Sequence, residues 1–169
     1  MVSLWDVVIG RILFSVDGFY GLDSVRLCPD ETLFTWSSKW SAFVQACNTL
    51  YGGEIAEFKC GNSVAVASVN DHCFNTNGDR LAAACGNPNS VICVWNVSTC
   101  NKVLLIFDDV PVTGIRYVPE SSKLACACRS GRVKIIDTSE NGQLILAFDA
   151  HLSRIAAMVL DEEGKKLVT

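Results

Sequence analysis

"FNTNGDRLAAACGNPNSVICVWNVSTCNKVLLIF", residues 74–107, decides the fold, because "YVPESSKLACACRSGRVKIIDTSENGQLILAF", residues 117–148, repeats its elements in the same order. Leu81, Leu124 and Leu167 recur every 43 residues, and Trp95 and Ile136 stand 41 apart, as do Phe107 and Phe148. A further copy begins at "VLDEEGKKLVT" (159–169). Upstream, "SLWDVVIGRILFSV" (3–16) repeats the tryptophan, spacer and apolar run, and "VRLCPDETLFTW" (25–36) supplies the turn and the strand after it. A weaker unit runs through "SAFVQACNTLYGGEIAEF" (41–58), whose Phe58 stands 49 before Phe107, leaving room for an insertion near "KCGNSVAVAS" (59–68). Self-similarity at a period of 20–50 residues is the signature of repeat architectures.

Within each unit the apolar runs are short and often alternate. In "RVKIID" Val133 and Ile135 alternate with Arg132 and Lys134; in "GIRYVP" Ile115 and Tyr117 alternate with Gly114 and Arg116. That period is two, the strand period, and Gly, Asn, Asp, Ser or Pro bounds the runs. Each unit therefore reads as four antiparallel strands joined by tight turns. A four-stranded sheet of this size cannot bury both faces alone, and stacking such sheets around an axis solves the problem. The expected fold is all-β: an arc of four-stranded antiparallel sheets, about three full repeats with partial ones at both ends.

Composition agrees. The chain has 169 residues, 50% hydrophobic and 19% charged, which is globular composition. A net charge of −4 and a pI near 5.1 remove the broad basic footprint of nucleic-acid or anionic-membrane binding. The N-terminus lacks the basic start and long apolar region of a signal peptide. Nine cysteines include no CxxC pair, and the two histidines, His72 and His151, are far apart, which argues against zinc. Several cysteines sit inside apolar runs ("LAAAC", "VICVW", "LACAC"), where a free thiol behaves as a small hydrophobe. The expectation is reduced, buried thiols in a cytoplasmic protein.

The residues "SLWD", "CPDETL", "NGDRLAAACGNPNSVICVWN", "PESSKLACACRSGRVKIID" and "FDAHLSRIAAMVLDEEGKKLVT" together resemble the WD-repeat β-propeller family, over nearly the whole chain. The resemblance implies that a Trp-Asp pair ends the third strand of each blade. Trp5-Asp6 matches in full, Trp95-Asn96 in part, and Ile136-Asp137 in the aspartate only. The fourth strands then follow as "RILFSV", "EIAEFK", "KVLLIF" and "QLILAF". The family's Gly-His before a first strand survives only as Ala150-His151, with Asp108 at the equivalent place one repeat earlier. The aspartate expected six before the Trp is Asn89 in one repeat and Ser130 in the next. Without a complete polar network, these blades are expected to depend mainly on apolar packing. The repeat periods read as about 7–47, 48–96 and 97–137, with 138–169 incomplete. That pattern opens on a third strand and stops inside a second, so the expected chain is a segment of a larger propeller, either a truncated gene model or an excised part.

The function implied is a non-catalytic scaffold for protein–protein interaction, whose partners are other proteins or peptides and the remaining blades of the same protein. The alternative is a propeller segment of a multidomain protein with a regulatory or catalytic domain outside this chain, of ciliary or nucleotide-switch type. The loops expected to bind are 17–23, 108–114 and 149–154, with Phe19, Tyr20 and Arg154 as anchors, since aromatic and Arg side chains dominate interface energies. An enzymatic reading has one foothold, the run Asp71-His72-Cys73. Strand alternation points neighbours 72 and 73 to opposite faces, so His72 is expected to fill a core position in line with Phe74. No GxSxG, P-loop, HExxH or dinucleotide fingerprint occurs, and the carboxylate pairs Asp108-Asp109 and Glu162-Glu163 read as solvated turn charges. No catalytic, cofactor-binding or metal-binding residue is expected.

Overall fold

A computed structural model describes residues 1–17, 21–38, 40–61, 68–86, 90–139 and 141–169. Among these the strands are β1 (Val2–Asp6), β2 (Arg11–Val16), β3 (Leu22–Leu27), β4 (Leu33–Ser38), β5 (Phe43–Asn48), β6 (Glu54–Lys59), β7 (Val69–Phe74) and β8 (Arg80–Cys85). They continue as β9 (Ser90–Asn96), β10 (Lys102–Asp108), β11 (Val112–Tyr117), β12 (Lys123–Cys128), β13 (Arg132–Asp137), β14 (Gln143–Asp149), β15 (Val159–Leu160) and β16 (Leu167–Val168). They form three four-stranded antiparallel meanders, β3-β4-β5-β6, β7-β8-β9-β10 and β11-β12-β13-β14, with the two-stranded sheets β1-β2 and β15-β16 at the ends. Tight turns suffice for such neighbours, which is why Asn, Asp, Gly and Ser punctuate the sequence where they do.

The second strand of each sheet explains the stacking. In β8, Leu81, Ala83 and Cys85 face the sheet before it, beside Val44, Ala46 and Phe58. Ala82 and Ala84 face the sheet after it, beside Val112, Ile115, Leu124 and Cys126. β12 repeats the arrangement: Leu124, Cys126 and Cys128 point back, while Ala125 and Ala127 pack with Ile155 and Met158. At the other end Phe34, Trp36 and Cys47 cover Val2, Phe14 and Val16. Every core cluster therefore lies between two sheets. The outer strands differ: β14 is exposed along its whole length, including Leu144 and Leu146.

Two features differ from the sequence reading. Seven cysteines are free, but Cys60 and Cys85 are joined in a disulfide between the first and second four-stranded sheets, with Cα atoms 6.6 Å apart. Their separation of 25 residues hid a proximity that only sheet stacking creates. Asp108 is not a solvated turn charge: its side chain is 6% exposed and accepts from Lys134 Nζ at 2.7 Å, linking β10 to β13 of the next sheet. Burial alone would raise its pKa, but the Lys134 ammonium and the Val110 N–H hold the carboxyl below its ordinary value.

The packing sets a test. Leu124→Ala, at a side chain with no exposure between two sheets, should cost about 2–5 kcal/mol in denaturant unfolding. Leu144→Ala, at a residue 53% exposed on the outer strand, should stay within about 0.5 kcal/mol. Equal costs would contradict a core located between sheets.

Candidate functional site

The innermost strands β3, β7 and β11 bring their polar side chains to one end of the arc. At the centre is Asp71 of β7. Its Oδ1 accepts from Arg26 Nη2 of β3 at 2.8 Å and from the His72 N–H at 2.9 Å. Its Oδ2 accepts from Arg116 Nη1 of β11 and from the Ile115 N–H at 3.1 Å. One carboxylate thus ties the inner strands of all three complete sheets. Its side chain is 11% exposed, whereas Arg26 and Arg116 keep 32% and 33%, so the guanidinium groups are the part that solvent reaches.

Around this ion triad lies a groove of about 690 Å³. Arg26, Arg116, Arg129 and Arg154 line it against the carboxylates Asp23 and Asp71. Its formal balance is therefore positive in a chain of net charge −4. Arg129 comes from the turn between β12 and β13, and Arg154 from the exposed connection between β14 and β15. Trp40, 81% exposed, also lines it, from the connection between β4 and β5. The Ser38 hydroxyl accepts its N–H at 3.1 Å, and the indole packs over Gly21, whose φ of +84° and missing Cβ leave room for the ring.

Asp71, His72 and Cys73 diverge. His72 is fully buried against the preceding sheet, its Nδ1 3.1 Å from Ser37 Oγ and its Nε2 3.0 Å from Thr35 Oγ1, both on β4. Cys73 packs on the other side, with Ile115 and Leu124. Burial, then the nearby Arg26 charge, lowers the His72 pKa to about 3; burial, then Asp71, raises the Cys73 thiol to about 12. At neutral pH both are uncharged and face apart, so they supply no nucleophile and base. No group of three or more metal-ligating side chains forms among the described residues.

The repeat-signature residues act within the sheets. Trp95 is 2% exposed and meets Phe58 edge-on, with ring centroids 5.7 Å apart, while Trp5 is 54% exposed. Asp6 accepts the Val8 and Ile9 N–H groups, and Asn96 accepts the Thr99 N–H and hydroxyl, each closing the turn that follows. Asp137 accepts the Ser139 N–H and the Ser122 hydroxyl, tying two turns together. His151 is exposed, its Nε2 2.8 Å from Thr169 Oγ1. Of the expected binding anchors, Arg154 lines the groove. Phe19 and Tyr20 lie outside the described residues, as does Asn89. Sequence reasoning missed Arg26, Trp40, Arg116 and Arg129. Arg26 and Arg116 are polar members of alternating strands, but their convergence on Asp71 spans 45 residues in each direction.

The sheets, their order and the site at the inner strands define an arc of a β-propeller with WD40-type blades. The WD40 repeats of the RRP9 crystal structure superpose on 88% of this chain and 44% of that one, with a TM-score of 0.74 and 16% identity. The structure of U3-55K gives a TM-score of 0.75 at 16% identity and the same coverage. These likenesses show the fold. No family model matches the chain. Similar curated proteins include the UPF0597 protein YhaM of Escherichia coli O1:K1 / APEC and of Shigella boydii serotype 18. Each is 29% identical over 98 residues, 58% of this chain and 20% of theirs. The chain thus spans about a fifth of the length of those relatives and less than half of the solved propellers.

Neutral burial of His72 makes stability depend on pH. Its folded pKa lies below the unfolded value near 6.5, so below that pH the unfolded chain takes up a proton that the folded chain refuses. Stability should fall as pH drops from about 6.5 toward 5, by roughly 1.4 kcal/mol per unit at most from this residue. Melting curves of the chain and of His72→Gln across that range check it: the variant should be less stable at pH 7 and show a flatter dependence.

Proposed function

We propose that this chain is a non-catalytic interaction scaffold, a segment of a larger WD-repeat protein that meets partner proteins through the loops at the groove end of the arc. The observation that carries the reading is the groove itself. The inner strands supply its floor, five separate connections add to its lining, and an exposed Trp and an exposed Arg are among the side chains that line it. Aromatic and Arg side chains held on a rigid framework are the usual anchors of protein interfaces. The divergent Asp71, His72 and Cys73 side chains support a binding role over a chemical one. The WD40 fold, usually non-catalytic, supports the same reading. Exposed apolar side chains on the two-stranded sheets, Trp5 and Ile12 on one and Val159 and Val168 on the other, support further blades as neighbours.

Site-specific photo-crosslinking in the cell of origin tests this. A photoreactive residue in place of Ala156, exposed in the groove wall, should couple to a reproducible set of polypeptides. The same residue in place of Ile145 on the outer strand should couple to few of them. Equal labelling from both positions, or none from Ala156, would overturn the reading.

A further inference from the structure

We propose that the groove takes an extended peptide segment carrying an anionic side chain, a carboxylate or a phosphate, beside an apolar residue. The inference rests on the scaffold reading and names the chemistry of its partner. A single carboxylate, Asp71, lies between two guanidinium groups, so the triad keeps a net positive charge after its internal pairing. Each guanidinium has five N–H donors in a planar fork. Arg116 spends Nη1 on Asp71 and the Ile115 carbonyl, and its remaining donors sit on a side chain one-third exposed to the groove. Such forks match carboxylate and phosphate oxygens two at a time. Arg129 and Arg154 add charge from the groove lining.

Size and charge favour a short peptide over a nucleic acid. The volume of about 690 Å³ suits a few residues, and Trp40 gives an apolar neighbour a surface beside the charged site. The whole chain is acidic, with 18 Asp and Glu against 14 Lys and Arg, and four of those Arg but only two of those Asp line the groove, so a long polyanion leaving the groove meets repulsion where a short anionic segment does not.

Fluorescence anisotropy on the full chain tests the proposal. The probes are a short fluorescein-labelled peptide with paired glutamates beside a leucine, its counterpart with paired phosphoserines, and its neutral counterpart with serines. At least one anionic version should bind about tenfold or more tighter than the neutral one, and raising the salt should weaken it. Whichever anionic version binds better identifies the group recognised. Arg116→Gln removes a partner of the largely buried Asp71 and can unfold the chain, so the deciding variants are Arg154→Glu and Trp40→Ala, both at exposed positions. Each should weaken the anionic peptide at least about fivefold while leaving the melting temperature unchanged. Equal binding of all three peptides, indifference to both variants, or tighter binding of a single-stranded oligonucleotide would overturn the proposal. If Ala156 still crosslinks partner polypeptides while every peptide fails, the acidic-segment inference falls and the scaffold reading stands.

Discussion

The second strand of each blade must be buried on both faces at once, and the rest of the molecule follows from that. A lone sheet solvates one face, but β8 and β12 have neighbours in front and behind. Their composition differs by face: Ala82, Ala84, Ala125 and Ala127 meet the following sheet, while Leu81, Ala83 and Cys85, and Leu124, Cys126 and Cys128, meet the preceding one. Polar groups are thereby displaced to the inner strands, which border the axis, and to the turns. Six of the seven free thiols are buried, as expected, while Cys100 is exposed in the turn between β9 and β10. Cys73, Cys93 and Cys126 are buried with raised pKa values, driven first by desolvation, and act as small apolar side chains.

Apolar clusters lie between the sheets, and specific polar contacts add to them. His72 reaches Thr35 and Ser37 across the first interface, and Asp108 and Lys134 join the second. The Asp71 triad spans both. Asp108 stands where the repeat pattern expects a histidine, and its partner lies on the next blade. A buried polar group without partners is costly, and these are each satisfied by a specific residue on a neighbouring sheet. They restrict how one blade sits against the next in a way that interchangeable apolar contacts do not.

The architecture was legible because it is written in local pattern. The outer strands expected at "RILFSV", "EIAEFK", "KVLLIF" and "QLILAF" correspond to β2, β6, β10 and β14, and the period-two runs "RVKIID" and "GIRYVP" fall on β13 and β11. Strand alternation likewise separated His72 from Cys73. The groove was largely illegible because its chemistry is non-local. Arg26, Asp71 and Arg116 become neighbours only when three blades stack, and Trp40 gains its place from a turn packed over Gly21. Asp108 misled for the same reason: beside Asp109 at the end of a strand it reads as solvated, and its Lys134 partner is visible only from the adjacent sheet. Cys60 and Cys85, 25 residues apart, follow the same rule.

The geometry of the groove also bears on selectivity. Asp71 withdraws donors from both arginines, which by itself weakens their hold on a ligand. It also fixes the two guanidinium groups at the junction of three blades, so less side-chain freedom is lost when an anion binds. Arg154, exposed in a connection and held by no ion pair among the described residues, contributes attraction and encounter rate more than orientation. The floor of the groove is thus suited to discriminate by geometry and its rim to attract by charge, and the acidic remainder of the chain limits how far a polyanion can follow.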